Sequence, residues 1–142
     1  MKFMGYVRPD GRVGIRNHIA VIPASVCAST VAARIAEQVE GAIALPNQHG
    51  CAQIGPDLEV TARTLAGLGT NPNVAAVLVI GLGCESVQAE RLHKEIAKSG
   101  KRVESLVIQE CGGTLKAQEQ GLRIARSISQ EVAMMTREEA DV

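Results

Sequence analysis

The chain has 142 residues, with 15 basic and 15 acidic side chains and a formal net charge of zero. This balance offers no electrostatic attraction for nucleic acid or an anionic membrane surface, and one Tyr and one Phe provide little stacking on bases. No apolar run approaches the roughly 20 residues of a membrane-spanning helix. We therefore expect a single cytoplasmic domain that binds neither nucleic acid nor membrane. Its four cysteines are then more plausible as free thiols, metal ligands or catalytic groups than as disulfides.

Residues 1–18 predict a hairpin arm in front of the main domain. Pro9-Asp10-Gly11 lies between two short extended segments, and this composition is typical of a tight turn with Gly11 at positive φ. A hairpin this short is not stable alone. We expect it to pack near the carboxyl edge of the main sheet or against a second subunit.

Four short apolar runs predict the strands of the main domain, residues 19–22, 42–45, 75–80 and 103–108. Amphipathic segments between them predict helices, with caps expected at Ser25 and Asp57, a third helix from Glu85 to Ser99, and a last long helix from about Leu115. This alternation predicts an α/β, Rossmann-like three-layer sandwich with a mostly parallel four-stranded sheet in the order 2-1-3-4. The third strand is expected to be among the most buried segments. The α/β domain would span residues 19–135, followed by a frayed tail at 136–142.

Cysteines follow all four predicted strands, each just beyond the carboxyl end: Cys27, Cys51, Cys84 and Cys111. Open α/β sheets gather their ligand-binding and catalytic groups at this edge. The longest loop, residues 46–56, also carries His49, and long loops in compact α/β units are more often functional than idle. His49, Cys51 and Cys84 form a possible nitrogen and sulfur donor set for a transition metal. The alternative is that these cysteines are inert core residues.

Several motifs in a fixed order resemble those of the altronate and galactarate dehydratase family, which also contains the large subunit of a sulfolactate sulfo-lyase. They are Gly5-Tyr6-x-Arg8-x-Asp10-Gly11-Arg12-x-Gly14-x-Arg16-Asn17, Cys27, His49-Gly50-Cys51, Arg63-Thr64-Leu65-Ala66-Gly67, Asn71-Pro72-Asn73-Val74 and Gly81-Leu82-Gly83-Cys84-Glu85. The resemblance implies a carbon–oxygen lyase of carbohydrate catabolism that removes water, or in one branch sulfite, from a hydroxy acid. It also implies a divalent metal, iron or manganese.

A dehydratase of this kind needs a cation for the substrate carboxylate, a base for the α-proton and an acid for the leaving hydroxide. The candidate catalytic groups are Glu85, His18 and Cys84. The candidate substrate-binding residues are Arg16, Asn17 and Gly83. Each has a simpler structural explanation, because acidic residues favour helix N-termini, a lone histidine is usually structural, and most arginines line a wet face. If the resemblance holds, His49, Cys51 and Cys84 should converge on one pocket, with Glu85 near it and Cys27 at its floor.

Two departures from the family pattern matter. Ala52 stands where members are expected to have Gly, and members are expected to continue beyond Val142 into a further domain. The chain therefore resembles an N-terminal fragment of the large subunit, inactive alone. Its expected partners are the hydroxy-acid substrate, a missing C-terminal domain and a separate small subunit, and we expect a homo-oligomer.

Two other function classes stay open. Gly81-x-Gly83-x-x-Ser86 nearly completes a dinucleotide fingerprint, and Gly112-Gly113-Thr114 opens a helix whose amides could hold an anion. These features favour a nucleotide- or anion-binding Rossmann-like regulatory module. A thiol-redox domain is a weaker hypothesis, because Cys84 and Cys111 have no close resolving cysteine in sequence.

Overall fold

The computed structural model of the protein describes residues 1–141. Its elements are β1 (Lys2–Val7), β2 (Val13–Gly14), β3 (His18–Pro23), α1 (Ser29–Ala36), β4 (Ala42–Ala44), α2 (Gly55–Thr70), β5 (Val74–Gly81), α3 (Ala89–Ala97), β6 (Arg102–Val107), α4 (Thr114–Ala133) and β7 (Glu138–Asp141). Among these residues, no helix combines the length and the apolar character that crossing a bilayer requires.

A parallel four-stranded sheet forms the centre of the domain, with the strand order β4-β3-β5-β6. This is the predicted order 2-1-3-4, which is confirmed. Every residue of β5 is buried, and Val79 is 0% exposed. A strand covered on both faces needs apolar residues at successive positions, which is why β5 has a continuous apolar run.

Helices cover both faces of the sheet and give the predicted three-layer sandwich. On one face, Ile35 of α1 and Ile128 of α4 pack with Leu78 of the sheet. On the other face, the helices α2 and α3 contribute Leu65 and Leu92. Both faces of the sheet are therefore covered by apolar packing. The residues able to bind a ligand or take part in catalysis lie at the two edges where the strands begin and end.

The helix starts differ from the predicted ones. After a short 3-10 turn, Val26–Ala28, α1 begins at Ser29, and the Ser25 side chain makes no capping bond. α2 begins at Gly55, so Asp57 lies inside its first turn. α3 begins at Ala89 rather than Glu85, because the Glu85 carboxylate binds the turn before it. α4 begins at Thr114, close to the predicted start at Leu115, and the Leu115 side chain is 78% exposed.

A second, small antiparallel sheet has the strand order β2-β1-β7. β1 and β2 form the predicted hairpin, and Gly11 in its turn has a φ of +82°. β7 pairs with β1 along four residues, from Lys2 opposite Asp141 to Gly5 opposite Glu138. The prediction of a frayed tail is therefore wrong for residues 138–141, since β1 offers them an unpaired edge; Val142 lies outside the described residues.

The arm packs at the amino edge of the parallel sheet and not at the carboxyl edge, which was one of the two placements we expected. Gly14 lies so close to the loop before β5 that a Cβ there would stand 2.0 Å from the Pro72 carbonyl oxygen. Arg8, only 4% exposed, donates from Nε to the same carbonyl at 2.7 Å. The arm thus closes the end of the sheet at which β3, β5 and β6 begin.

Candidate functional site

The carboxyl edge of the sheet carries all four cysteines, as the sequence predicts. Cys27 follows β3, Cys51 lies in the loop after β4, Cys84 follows β5, and Cys111 follows β6. All four are free thiols; the first three are exposed and Cys111 is partly buried. Cys111 also donates to Gln120 Oε1 at 3.3 Å, so its thiol is engaged with α4.

Gly50 is the point at which three of these loops meet. Its carbonyl oxygen accepts hydrogen bonds from the amides of Ser86 at 2.9 Å and Val87 at 3.0 Å. Its φ is +90°, and a Cβ on it would lie 2.0 Å from the Ala24 carbonyl oxygen. Only glycine fits this position without moving backbone, so the loops after β3, β4 and β5 are held together at Gly50.

The loop after β4 is further fixed by its own polar side chains. Asn47 Nδ2 donates to the Pro23 carbonyl at the end of β3, at 2.8 Å, while Asn47 Oδ1 accepts from the His49 amide at 2.8 Å. The His49 carbonyl then accepts from the Val26 amide at 3.0 Å. These bonds give a long loop a defined path, and they explain why it does not need regular secondary structure.

Glu85 is buried, at 3% exposure, and folds back on the turn that precedes it. One carboxylate oxygen, Oε2, accepts from the amides of Leu82 at 3.1 Å and of Gly83. A carboxylate that accepts two backbone amides stabilises the turn presenting Cys84. It also occupies the amides that a phosphate would need at Gly83, so this turn is not a free dinucleotide loop.

His49 lies at a separate pocket of about 470 Å³ between the loop after β4 and helix α2. Six polar residues and two apolar ones line it: Asn47, His49, Gln53, Asp57, Val60, Thr61, Thr64 and Leu65. None of the four cysteines is among them. Hydroxyl, amide and carboxylate groups around one imidazole suit a polyhydroxylated small molecule.

A single metal ion does not fit the predicted donor set. Among residues 1–141, no three His, Cys, Asp or Glu side chains are grouped closely enough to hold one. His49, Cys51 and Cys84 are therefore brought to the same edge but not to one coordination point. The expected convergence in a single pocket fails because His49 lines the pocket against α2.

Arg16, Asn17 and His18 lie at the opposite, amino edge of the sheet. His18 is the first residue of β3, and the six residues of that strand separate it from the carboxyl edge by about 16 Å. Asn17 uses its side chain structurally, with Oδ1 accepting from Arg8 at 2.9 Å and Nδ2 donating to the Val132 carbonyl at 3.2 Å. The structure does not bring these three residues together with Glu85, Cys84 or Gly83.

Comparison with known proteins now gives the family. Residues 5–133 match the family described as D-galactarate dehydratase/Altronate hydrolase, second domain. The chain belongs to this family. It is 40% identical over 140 residues to the (2R)-sulfolactate sulfo-lyase subunit beta of Chromohalobacter salexigens, covering 99% of this chain and 35% of that protein. It is 31% identical over 123 residues to the altronate dehydratase of Escherichia coli strain K12, covering 79% of this chain and 25% of that protein.

A third relative is the galactarate dehydratase (L-threo-forming) of the same strain, 36% identical over 105 residues, covering 63% of this chain and 20% of that protein. The chain thus spans about a third or less of the length of these dehydratase and sulfo-lyase relatives. What the second domain of this family contributes must be argued from its own residues.

Ala52 stands where we expect the dehydratase family to have glycine, and its backbone conformation shows why glycine suits this position. It is the one non-glycine residue among residues 1–141 with positive φ, at +56°. A left-handed conformation costs roughly 1–2 kcal/mol for a residue with a Cβ. The turn beside Cys51 is therefore built for glycine, and this member of the family tolerates alanine with some strain.

Sequence reasoning missed two features of the site. Ser25 is 0% exposed and its Oγ has no hydrogen-bond partner among residues 1–141. The sequence does not distinguish Ser25, because a serine after a strand is typical of a helix cap. The pocket wall formed by Asp57, Thr61 and Thr64 was detectable, because these residues share one face of α2 at spacings of three and four.

Proposed function

We propose that this chain is a domain of a lyase that removes water or sulfite from a hydroxy acid, the reaction class named in its relatives. The observation that carries the proposal is the pocket of about 470 Å³ at the carboxyl edge, with His49 in its wall. It combines an imidazole, which can take up or give a proton, with hydroxyl and amide groups that suit a polyhydroxylated chain.

His49 is proposed to exchange a proton with the substrate. The reaction needs a base at the carbon next to the carboxylate, and a departing hydroxide needs a proton, whereas departing sulfite does not. Asn47, which holds the His49 amide through Oδ1, positions the histidine. Asp57 and Thr64 are placed in the pocket to bind substrate hydroxyls.

Glu85 takes a different role from the catalytic one predicted from the sequence. Its carboxylate is buried and binds the turn at Leu82 and Gly83, so we assign it to positioning Cys84 rather than to proton transfer. Arg16, Asn17 and His18 are assigned to holding the arm. The cation for the substrate carboxylate is then expected from segments or subunits outside this chain.

The proposal includes partners. One relative carries the name subunit beta, and we propose that this chain works together with a separate subunit and further segments, as a homo-oligomer in the cytoplasm. The free state of all four thiols is consistent with a reducing compartment.

The test compares His49→Gln with His93→Gln in the full natural assembly, assayed with sulfolactate, altronate and galactarate for sulfite or oxo-acid release. His93 is on α3 and contacts Ser105 Oγ at 3.0 Å, away from the pocket. We expect His49→Gln to lower kcat by about 10²- to 10⁴-fold and His93→Gln to leave it unchanged. Equal activity of both variants, or no activity of the unmodified assembly on any such acid, refutes the proposal.

A further inference from the structure

The polar side chains that line the pocket beside His49 are not equally available to a ligand. Asn47 is held by backbone at both ends of its amide, with Nδ2 donating to the Pro23 carbonyl and Oδ1 accepting from the His49 amide. Thr64 donates its one hydroxyl proton to the Val60 carbonyl at 2.8 Å. Both side chains are therefore committed to backbone before any ligand binds.

Gln53 differs from them, because only one end of its amide is engaged within the chain. Its Oε1 accepts from the buried Gly50 amide at 2.9 Å. A backbone N–H can only donate, so this contact fixes the oxygen at Gly50 and leaves Nε2, with its two hydrogens, on the other branch of the side chain. Among residues 1–141 Nε2 has no hydrogen-bond acceptor, and Gln53 lines the pocket. Gln53 is thus a donor held in a fixed orientation without a partner for its N–H groups.

A carboxylate is the ligand group that this donor suits best. Within the described residues, the pocket lining contains one carboxylate, Asp57, and no lysine or arginine. Asp57 can accept hydrogen bonds from substrate hydroxyls but repels a second carboxylate, whereas an amide N–H group donates to one without adding charge. A hydroxyl can bind at either group. A carboxylate only accepts, so it needs a donor such as Gln53.

Gln53 and His49 lie on either side of one peptide unit. The Gly50 nitrogen, to which Gln53 Oε1 is bound, belongs to the peptide bond that joins His49 to Gly50, and both side chains line the pocket. The proposed base acts at the carbon next to the substrate carboxylate. A carboxylate bound beside His49 would therefore bring the reacting carbon to the imidazole.

We propose that Gln53 Nε2 donates a hydrogen bond to the carboxylate of the hydroxy acid, which makes Gln53 a substrate-binding residue. The inference rests on the proposed function for the class of ligand. It adds a neutral donor to the cation that we expect from outside this chain. Oε1 stays on the Gly50 amide, so the same side chain supports the loop and binds the acid.

Gln53→Glu separates these two roles in the full natural assembly. Glutamate keeps an oxygen for the Gly50 amide but replaces Nε2 with a second, negatively charged oxygen. We expect the Kd and the KM for the hydroxy acid to rise by about 10- to 100-fold. The melting temperature should stay the same, and kcat should change by less than about threefold. Support of the loop alone predicts no change in affinity, because the acceptor is retained.

Gln48→Glu is the matched control. Gln48 is exposed in the same loop and is not part of the pocket lining, so the added charge there should leave the Kd unchanged. An equal loss of affinity in Gln48→Glu would show a general effect of charge on the loop and would overturn the inference.

A neutral analogue identifies the group that Gln53 contacts. The probes are altronate and sulfolactate, each with its primary carboxamide, and binding is measured by calorimetry in the His49→Gln background, where turnover should be slow. A carboxamide is uncharged and has N–H donors of its own, so Gln53→Glu should bind it at least as tightly as the parent protein does. Equal loss of affinity for an acid and its carboxamide would overturn the contact with the carboxylate.

Gln53→Met is the second variant, for use if circular dichroism shows that the glutamate variant does not fold. It removes the donor without adding charge, so affinity for the acid should fall by about tenfold and affinity for the carboxamide by less. Unchanged affinity for the acid in a folded Gln53 variant, or no binding of either acid by the unmodified assembly, would refute the inference. Turnover with unchanged affinity in Gln53→Glu would leave the proposed function standing. Binding that depends on Gln53 in an assembly without turnover would do the reverse.

Discussion

The two ends of the parallel sheet are finished in different ways. At the amino edge, the arm and Lys101 bring cationic side chains against carbonyl oxygens that follow α2, with Lys101 Nζ donating to Gly69 and Asn71 and Arg8 Nε donating to Pro72. At the carboxyl edge, three thiols remain exposed, and the Ser25 hydroxyl is buried without a partner among residues 1–141. Arg8 and Lys101 are thus bound to backbone at one edge, while the other edge keeps reactive groups available.

The amino edge therefore contributes mainly to stability, and the carboxyl edge holds the side chains that are free to react. Carbonyls at the carboxyl end of a helix carry partial negative charge, so Lys101 and Arg8 stabilise the α2 terminus while they fix the arm. The carboxyl edge instead uses a glycine contact and a buried carboxylate to hold loops whose side chains stay free. Substitutions at the two edges should therefore affect different measurements.

The largest effect is expected for Gly50→Ala at the carboxyl edge. The new Cβ would stand 2.0 Å from a backbone oxygen at a φ of +90°, and neither neighbour can move without displacing a strand end. We expect a loss of at least about 4 kcal/mol in the free energy of unfolding, measured by urea denaturation.

Gly41→Ala is the matched control for backbone conformation. Gly41 has a similar φ of +80°, but nothing lies within 4 Å of the position its Cβ would take. It should lose only about 1–2 kcal/mol, the cost of a Cβ in the left-handed region. Equal losses at Gly50 and Gly41 would show that the junction does not depend on close contact.

Arg8→Met should weaken the amino edge by about 2–4 kcal/mol in the free energy of unfolding. Arg8 is 4% exposed and donates to the carbonyls of Pro72 and Arg16 and to Asn17 Oδ1, so methionine leaves three acceptors without their donor. Arg126→Met, at an exposed position on α4, should change stability by less than about 0.5 kcal/mol. Because the exposed thiols lie at the other edge, Arg8→Met should leave their reaction with a thiol reagent unchanged in the folded protein; a changed rate of reaction would contradict the separation of the edges.

Much of the fold could be predicted from the sequence, because apolar periodicity and turn residues report it directly. The continuous apolar run of β5 predicted the central strand, and the alternation of strands and helices predicted the strand order. The same rules placed all four cysteines at one edge, since parallel strands share their direction. The motifs predicted the family, which the comparison confirmed.

The site was less predictable, because it depends on contacts between distant residues. The carboxyl edge, one of the two placements expected for the arm, was wrong, since nothing in the sequence shows that Arg8 would meet Pro72, 64 residues away. Glu85 reads as the first residue of a helix, and only the folded turn shows that its carboxylate binds the amides before it. The tail was predicted to be frayed because its strand forms only by pairing with β1, at the other end of the chain, and local sequence patterns do not show such pairing.

Lys101→Met tests the amino edge through pH. Burial is the main reason that the pKa of Lys101 is lowered from 10.5 to about 8, and the nearby charge of Arg8 lowers it further. Between pH 8 and 10.5 the unfolded chain binds more protons at this lysine than the folded protein, so the free energy of unfolding should rise with pH in that window. The rise is on the order of 1–3 kcal/mol and should be absent in Lys101→Met.

Lys98→Met provides the comparison for that experiment. Lys98 is exposed and pairs with Glu95 on the surface of α3, so its removal should leave the rise in place. A pH dependence that is the same in Lys101→Met and in the unmodified protein would show that the buried lysine does not carry it.

The smallest change in stability, and the most informative about the carboxyl edge, is expected for Glu85→Gln. The amide oxygen of glutamine can replace Oε2 as the acceptor for Leu82 and Gly83, so only the charge-assisted part of two hydrogen bonds is lost, about 1 kcal/mol. Glu85→Ala removes the acceptor and should cost about 2–3 kcal/mol. If Glu85 only positions the turn, lyase activity should follow stability, nearly retained in the glutamine variant and reduced in the alanine variant. A base cannot be replaced in this way, because glutamine does not take up a proton. A stable Glu85→Gln protein with activity lowered by 10²-fold or more would therefore make Glu85 the catalytic base and His49 a binding residue.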